Sequence, residues 1–353
     1  MQNWRDNIRR VTPYTPGEQP AETDVVKLNT NENPYPPAPE VEEALREAAC
    51  ETGLLRRYPD PEAQELVEAL ASFYGMSPER IFVGVGSDDV LAMSFLTFFN
   101  GDRPLLFPDI TYSFYEVWAG LFQIPFEKVP LDEGFHLRKE DYFRENGGII
   151  FPNPNAPTGI EESLEDIEEI LQRNPGSVVI IDEAYVDFGA RSAAELIDRY
   201  DNLLVVQTFS KSRSMAGVRI GFAMGQPELI GALKAVKYSF NSYTMSRLTI
   251  KAGTAALKNR AYFRETAEKI CQTREQAQKR LREFGFILED SRTNFLFVTH
   301  PVWPARKLYE DLKREHIYVR FFPQPRIDNY LRITVGTDEE MSKLYDFLAG
   351  YKG

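Results

Sequence analysis

The stretch TFSKSRSMAGVRIGF, residues 208–222, follows the apolar run Leu203–Leu204–Val205–Val206 and carries a lysine near its start. Ser210, Lys211 and Arg219 gather there among small residues, where the packing at a strand end should be closing over. Lysine is ordinarily a surface residue, because removing an ammonium group from water is costly. An amine held in such a place suits a nucleophile or a base, and the groups it would work with should stand at other strand ends.

Four more apolar runs lead into turns of unusual composition: IFVGVG into Ser87–Asp88, PLLF into PDITY, IIF into PNPNAPTG, and VVII into DEAY. In an open α/β sheet the carboxyl ends of the strands face one crevice, so these turns should converge. In GVGSDDV the glycines let the backbone approach a ligand. Ser87 or Asp88 is expected to cap the helix that follows, leaving amide donors and the positive helix end for an anion. A dinucleotide fingerprint is excluded there, because GxGxxG would need glycine where Asp89 stands.

Asp182, in IIDEAY, ends a strand expected to be buried on both faces, where a carboxylate needs a cation or donors. The rigid loop FPNPNAPTG presents Asn153 and Asn155, and Tyr112 in PDITYSFY offers a face to a planar ligand. Each segment alone also has an ordinary explanation as a strand–turn–helix, a cap, a turn or a core aromatic. One ligand needs them all. Pyridoxal phosphate takes a lysine for its imine bond, a carboxylate opposite its ring nitrogen and several donors for its phosphate.

The elements that must position these residues follow from the pattern of the chain. With 353 residues and 43% hydrophobic composition, the sequence exceeds the usual size of a single core. Residues 1–40, with TPYTPGEQP and NTNENPYPPAP, are expected to form an irregular arm. From residue 41 to 250, helical periodicity (62–74, 88–99, 161–173) alternates with short apolar runs, the pattern of βαβ units and a mostly parallel sheet. A long helix over 259–284 opens a smaller α+β domain, 251–353, containing TNFLFVTH, HIYVRFF and YLRITVG. The net charge of −12 argues against a nucleic-acid surface, so an anionic ligand must be met by local arginines. Cys50 and Cys271 lack CxxC spacing, MQNWRDNIRR lacks the apolar core of a signal peptide, and VLAMSFLTFF is too short to span a bilayer. A soluble cytoplasmic protein is expected.

With those segments in place, the sequence resembles the fold-type I pyridoxal-phosphate aminotransferases (class I/II) and, within them, the histidinol-phosphate aminotransferase family. The likeness runs through TPYTPGEQP, LNTNENPYPP, RYPD, GSDD, PNAPTG, DEAY, SKSRSMAGVRIGF and LRITVG. It implies the corresponding α/β fold and histidine biosynthesis, with glutamate as amino donor and imidazole acetol phosphate as acceptor. It further implies that Lys211 bonds covalently to the cofactor, Asp182 faces the pyridine nitrogen, Tyr185 donates to the ring oxygen and Tyr112 covers the ring. Ser87, Asp88, Ser210 and Arg219 would surround the phosphate, with Tyr58 reaching it from the other subunit of a homodimer. Arg320 and Arg332 would hold substrate carboxylate or phosphate, and Tyr14, Asn31 and Glu32 would close the site. Relatives with two asparagines before PTG use the second on the ring oxygen; here that position is Ala156, so Asn155 or Tyr185 must supply the contact or it is lost.

Other residues are expected to be structural. His136, His300 and His316 lack metal spacing and lie outside strand-end turns, EESLEDIEEI reads as an amphipathic helix, and KAVKYSF and REQAQKRLRE read as helix surfaces. Rival readings are a phosphothreonine decarboxylase or an aromatic-amino-acid aminotransferase with the same cofactor, a non-catalytic cofactor-binding module, and a nicotinamide enzyme. The module usually carries a basic DNA-binding segment, which is absent here, and the broken glycine fingerprint opposes the nicotinamide enzyme.

Overall fold

The computed structural model describes residues 3–22 and 24–353. Its strands are β1 (Val26–Lys27), β2 (Ile81–Gly84), β3 (Leu105–Pro108), β4 (Phe126–Val129), β5 (Gly148–Pro152), β6 (Val179–Asp182), β7 (Leu203–Thr208), β8 (Gly221–Gly225), β9 (Phe295–Thr299), β10 (Ile317–Tyr318), β11 (Arg320–Phe321) and β12 (Tyr330–Thr334). The helices are α1 (Pro39–Cys50), α2 (Gln64–Tyr74), α3 (Ser87–Phe98), α4 (Phe114–Phe122), α5 (Leu164–Arg173), α6 (Pro227–Phe240), α7 (Arg247–Ala256), α8 (Arg260–Glu283), α9 (Ala305–Arg314) and α10 (Asp338–Gly350).

The large sheet runs β2-β8-β7-β6-β5-β3-β4 and is parallel except for β8, which is antiparallel to both neighbours. Successive strand residues point to opposite faces. Leu203 and Val205 of β7 therefore enter one core cluster, while Leu204 and Val206 enter the other. With both faces covered, each strand can present polar groups only at its ends, and this is why function collects there. In α5, Leu164, Ile167, Ile170 and Leu171 are buried and the acidic residues between them lie outside, as their spacing requires.

A smaller sheet, β11-β12-β9, and the parallel pair β1-β10 share a third core with α8, α9 and α10. The segment expected to be an irregular arm thus holds β1, because Val26 and Leu28 alternate with polar residues and bury against Leu296 and Leu331. The boundary expected at residue 250 falls inside α7, whose Ile250, Ala252, Ala255 and Ala256 belong to the large core.

Two helix segments are less superficial than their charge suggests. Lys237 is buried, its Nζ donating to the Pro61 carbonyl at 3.2 Å and lying over Phe82, and burial pushes its pKa down. Arg274 is buried as well; it ties α8 to the large domain by donating to the Phe188 carbonyl at 2.7 Å and to the start of β9 by donating to the Thr293 carbonyl at 2.9 Å. Backbone carbonyls take Lys237 Nζ and Arg274 Nη1 where the sequence shows no carboxylate partner, while Arg274 Nε is buried without one. His300, expected away from strand ends, directly follows β9, where its Nδ1 accepts from the amides of Val302 and Trp303 and closes the turn.

β8 has a direct part in forming the site. Gly221 lies against the start of α3 so closely that a Cβ there would stand 2.3 Å from Gly86 C and Ser87 N. Gly86, at φ 89°, would place its own Cβ 2.3 Å from Arg219 Nη2. Replacing Gly221 by Ala should lower stability in urea denaturation by about 1–3 kcal/mol through overpacking; an unchanged midpoint would show that the contact has slack.

Candidate active site

The turns after β2, β3, β5, β6 and β7 meet around a cavity of about 480 Å³, completed by the N-terminal segment and by the β11–β12 hairpin. Lys211 projects into it from the turn after β7, its Nζ donating to the Thr30 carbonyl at 3.1 Å. The turn is held from outside: Asn33 Nδ2 donates to the carbonyls of Lys211 at 3.1 Å and Ser212 at 3.2 Å, and Ser212 Oγ donates to Asp187. The backbone of the turn is thereby fixed by side chains outside the cavity.

Asp182 lies on the cavity wall and is 4% exposed. Its Oδ2 accepts from Tyr115 Oη at 2.8 Å and its Oδ1 from the Ala184 amide at 3.2 Å. Burial raises its pKa to about 6 against those two hydrogen bonds, which lower it. Among the described residues no cation pairs with it. Beside it, Glu183 is also buried, with its pKa raised to about 7 by burial, but it is satisfied by Ser192, Gln207 and the Ala193 amide and faces away from the cavity lining.

Helix α3 starts at Ser87 with Gly86 in the capping position, and no side chain closes its first turn. This corrects the expected Ser87 or Asp88 cap. Asp89 Oδ2 accepts instead from the Val85 amide at 2.9 Å, and Asp88 accepts from Tyr112 Oη at 2.8 Å with Arg219 Nη2 at 3.8 Å. The Asp88 side chain therefore orients Tyr112 and Arg219, and only its backbone can donate to an anion. Ser210 lies beside Arg219, whose Nη1 is 3.5 Å from its Oγ. A helix end with free amides, a hydroxyl and a guanidinium together make a phosphate-sized donor set.

On the opposite side, Arg332 reaches the cavity between Phe295 and Phe322, 5.2 and 5.6 Å from their ring centres. Its Nη2 donates to the Asn29 carbonyl at 3.0 Å, its Nε is buried without a partner, and burial pushes its pKa down. Arg320 sits across the hairpin from it, lies over the Phe322 ring at 5.7 Å and donates to the carbonyls of Thr15 and Pro16, each at 3.4 Å. Neither guanidinium has a carboxylate partner among the described residues. Tyr14 stacks on Phe114 at 4.2 Å and lines the cavity with Tyr112.

Asn31, at φ 58°, is locked by Thr334 and Asn294, and its Nδ2 donates to Tyr185 Oη at 2.9 Å, leaving the tyrosine proton for a ligand. Glu32 pairs with Lys27 and Thr30; burial alone would raise its pKa, but those contacts lower it. Two candidates stand apart. Asn155 does not line the cavity: its Nδ2 donates to the Ile110 carbonyl at 3.1 Å and Thr158 Oγ1 at 3.0 Å, and the residue that faces inward is Ala156. Tyr58 is 78% exposed, stacked on Tyr243 outside the cavity of its own chain. Tyr115 had no sequence signal, because its spacing in an apolar helix is that of a core residue.

The charges fit pyridoxal phosphate. A buried carboxylate without a cation suits a protonated ring nitrogen, the α3 terminus suits a phosphate, Tyr185 keeps a donor for the ring oxygen, and Lys211 stands in the same cavity. Among the described residues no group of three or more His, Cys, Asp or Glu side chains is placed to hold a metal ion, and no helix is long and apolar enough to cross a membrane.

Comparison with known proteins gives a consistent picture. Residues 23–348 match the profile described as aminotransferase class I and II. The histidinol-phosphate aminotransferase of Lactococcus lactis subsp. cremoris MG1363 is 50% identical over 349 residues, 99% of this chain and 98% of that protein. That of Acinetobacter baylyi is 51% identical over 349 residues, 99% and 97% respectively. The crystal structure of histidinol-phosphate aminotransferase from Sinorhizobium meliloti in complex with pyridoxal-5'-phosphate superimposes with a TM-score of 0.83 at 27% identity, over 91% of this chain and 89% of that one.

The Tyr115–Asp182 bond predicts a pH signature in the cofactor-free protein. Because the folded pKa of Asp182 is raised, its share of stability is complete below its unfolded pKa and is lost as pH rises through about 6. Tyr115→Phe removes a donor to the ionised form, so its deficit relative to wild type should be small at pH 5 and reach about 1–3 kcal/mol at pH 8. Melting curves across that range check this; a deficit independent of pH would contradict it.

Proposed function

We propose that this chain, which belongs to the class I and II aminotransferase family, transfers an amino group from L-glutamate to imidazole acetol phosphate, giving 2-oxoglutarate and L-histidinol phosphate. The observation that carries this reading is the charge arrangement around one cavity: Lys211 and a cation-free Asp182 on one side, and the unpaired guanidiniums of Arg320 and Arg332 on the other. Relatives about half identical over nearly the full chain bear the corresponding name.

Pyridoxal phosphate, when bound, supplies a conjugated ring that accepts the electron pair released at the α-carbon of an amino substrate. Asp182 holds the proton on the ring nitrogen, since an anion there stabilises the cationic form. Tyr112 covers the ring and Tyr185 donates to its oxygen. Ser210, Arg219 and the amides at Ser87 and Asp88 hold the phosphate. Lys211 Nζ would anchor the cofactor and, as a free amine, would take the proton from the substrate α-carbon as general base.

The two half-reactions bring a carboxylate and a phosphate monoester to the same place in turn. Arginine serves both, because its planar fork can give two hydrogen bonds to either oxyanion. Arg320 and Arg332 take that role, with Tyr14, Asn31 and Glu32 closing the cavity over them.

The reading extends to a cytoplasmic homodimer in which Tyr58 completes the phosphate site of the partner subunit. Its support is the exposure of Tyr58 and Tyr243 as a stacked aromatic pair and the presence of two unpaired cysteines. The working parts would be the arm 1–40, a cofactor-binding domain from 41 through α7, and a small domain beginning at α8.

Purified protein supplied with histidinol phosphate and 2-oxoglutarate should form glutamate, and Lys211→Ala should abolish this. Turnover of phosphothreonine with loss of carbon dioxide, or of phenylalanine in preference to histidinol phosphate, would replace the proposed reaction. Arg332→Ala should raise KM for both substrates about tenfold or more, the equivalent of a lost charged hydrogen bond. A defect confined to one substrate would refute the shared anchor.

A further inference from the structure

The loop between β11 and β12 carries Arg326 in the left-handed region, at φ 70°. Its guanidinium crosses to the turns of the large domain: Nη1 donates to Asp109 Oδ2 at 2.9 Å, and Nη2 donates to the carbonyls of Leu131 at 3.0 Å and Asp132 at 2.6 Å. Asp109 is itself fixed, its Oδ1 accepting from the Leu131 amide at 3.0 Å. Phe135 lies 5.6 Å from the guanidinium, and beneath them Ile110, Leu131, Phe297 and Ile327 form a separate buried cluster drawn from both sides.

This contact joins two pieces of the cavity wall. On one side it holds the hairpin in which Arg320 and Arg332 are register partners and whose loop residue Phe322 lines the cavity. On the other, Asp109 begins the turn that ends at Thr111 and Tyr112, both of which line it. We infer that Arg326, through Asp109, is a positioning residue that sets the span between the paired arginines and the ring site, and so selects the length of substrate that can bridge them. The inference rests on the function proposed above.

As an ion pair alone the contact would contribute little, because its side chains are 37% and 24% exposed. What distinguishes it is the set of three acceptors matched to a planar fork, which an ammonium group cannot reproduce. Its effect should therefore appear in substrate binding, with cofactor capture unaffected, since the groups for the cofactor's phosphate, ring nitrogen and amine bond lie on the turns after β2, β6 and β7, and Tyr112, on the turn that Asp109 begins, is held by Asp88.

The test compares wild type with Arg326→Gln, Arg326→Lys and Asp109→Asn in the full chain. Steady-state kinetics with histidinol phosphate and 2-oxoglutarate are joined by calorimetric binding of histidinol phosphate to protein loaded with pyridoxamine phosphate, with which it does not react, cofactor titration of the apoprotein and melting temperatures. Arg326→Gln should raise KM for both substrates and weaken calorimetric binding about five- to tenfold, with a smaller change in kcat. Cofactor affinity and melting temperature should stay at wild-type values. Arg326→Lys should fail to rescue, and Asp109→Asn should show the same direction.

Unchanged substrate binding overturns the inference. So does a parallel loss of substrate binding, cofactor affinity and melting temperature, which would make the contact a general staple of the fold. If Arg326→Gln does not fold, the isosteric Asp109→Asn decides by the same readouts. Wild type that binds histidinol phosphate without turning it over would refute the proposed reaction, while the calorimetric comparison would still judge Arg326.

Discussion

A carboxylate buried at the end of a sheet strand with no cation beside it is the constraint around which this molecule is arranged. Asp182 is set there by β6, whose residues are buried on both faces, and among the described residues it is stabilised only by a tyrosine hydroxyl and one amide. Such a group is tolerated where a ligand brings the missing positive charge, because leaving it unpaired costs several kcal/mol while a well-placed partner recovers much of that cost. The opposite wall repeats the condition with inverted sign, in the partly unpartnered guanidinium of Arg332. A cationic cofactor ring would satisfy the first and an anionic substrate group the second.

The fold delivers these charges by bringing backbones close together. Glycines at 86 and 221 let β8 press against the start of α3, so that the helix terminus, Ser210 and Arg219 share one small volume. The N-terminal segment is tied into both domains: β1 pairs with β10, Asn33 holds the turn of Lys211, and Asn31 links Thr334 to Tyr185. The segment thus connects the small domain to the turn of the amine and to the phenol on the cavity wall.

The sequence was most legible where a local boundary carried the information. An apolar run ending in an unusual polar turn located Lys211, Asp182, Tyr112 and the start of α3, and the strand-like flanks of Arg320 and Arg332 placed them on paired strands. Partners distant in sequence could not be read. Tyr115 looks like any core aromatic until β6 brings Asp182 to its hydroxyl, and Lys237 and Arg274 look solvated until carbonyls from other elements reach them. Asn155 misled for the converse reason: its loop was recognised, but its Nδ2 is engaged inside that loop and by Ile110 while its Oδ1 is buried without a partner, and Ala156 faces the cavity. The helix cap failed because Gly86, at positive φ, already turns the chain, and α4 and β8 escaped notice because one is apolar nearly all round and the other is rich in glycine.

The central claim is that Asp182 is half of an ion pair whose other half arrives with the cofactor. Titrating apoprotein with pyridoxal phosphate, wild type against Asp182→Asn, tests it most directly, because the substitution keeps the shape and removes the charge. The account predicts stoichiometric capture by wild type and an affinity lower by about tenfold or more in the variant. Equal affinities would contradict it.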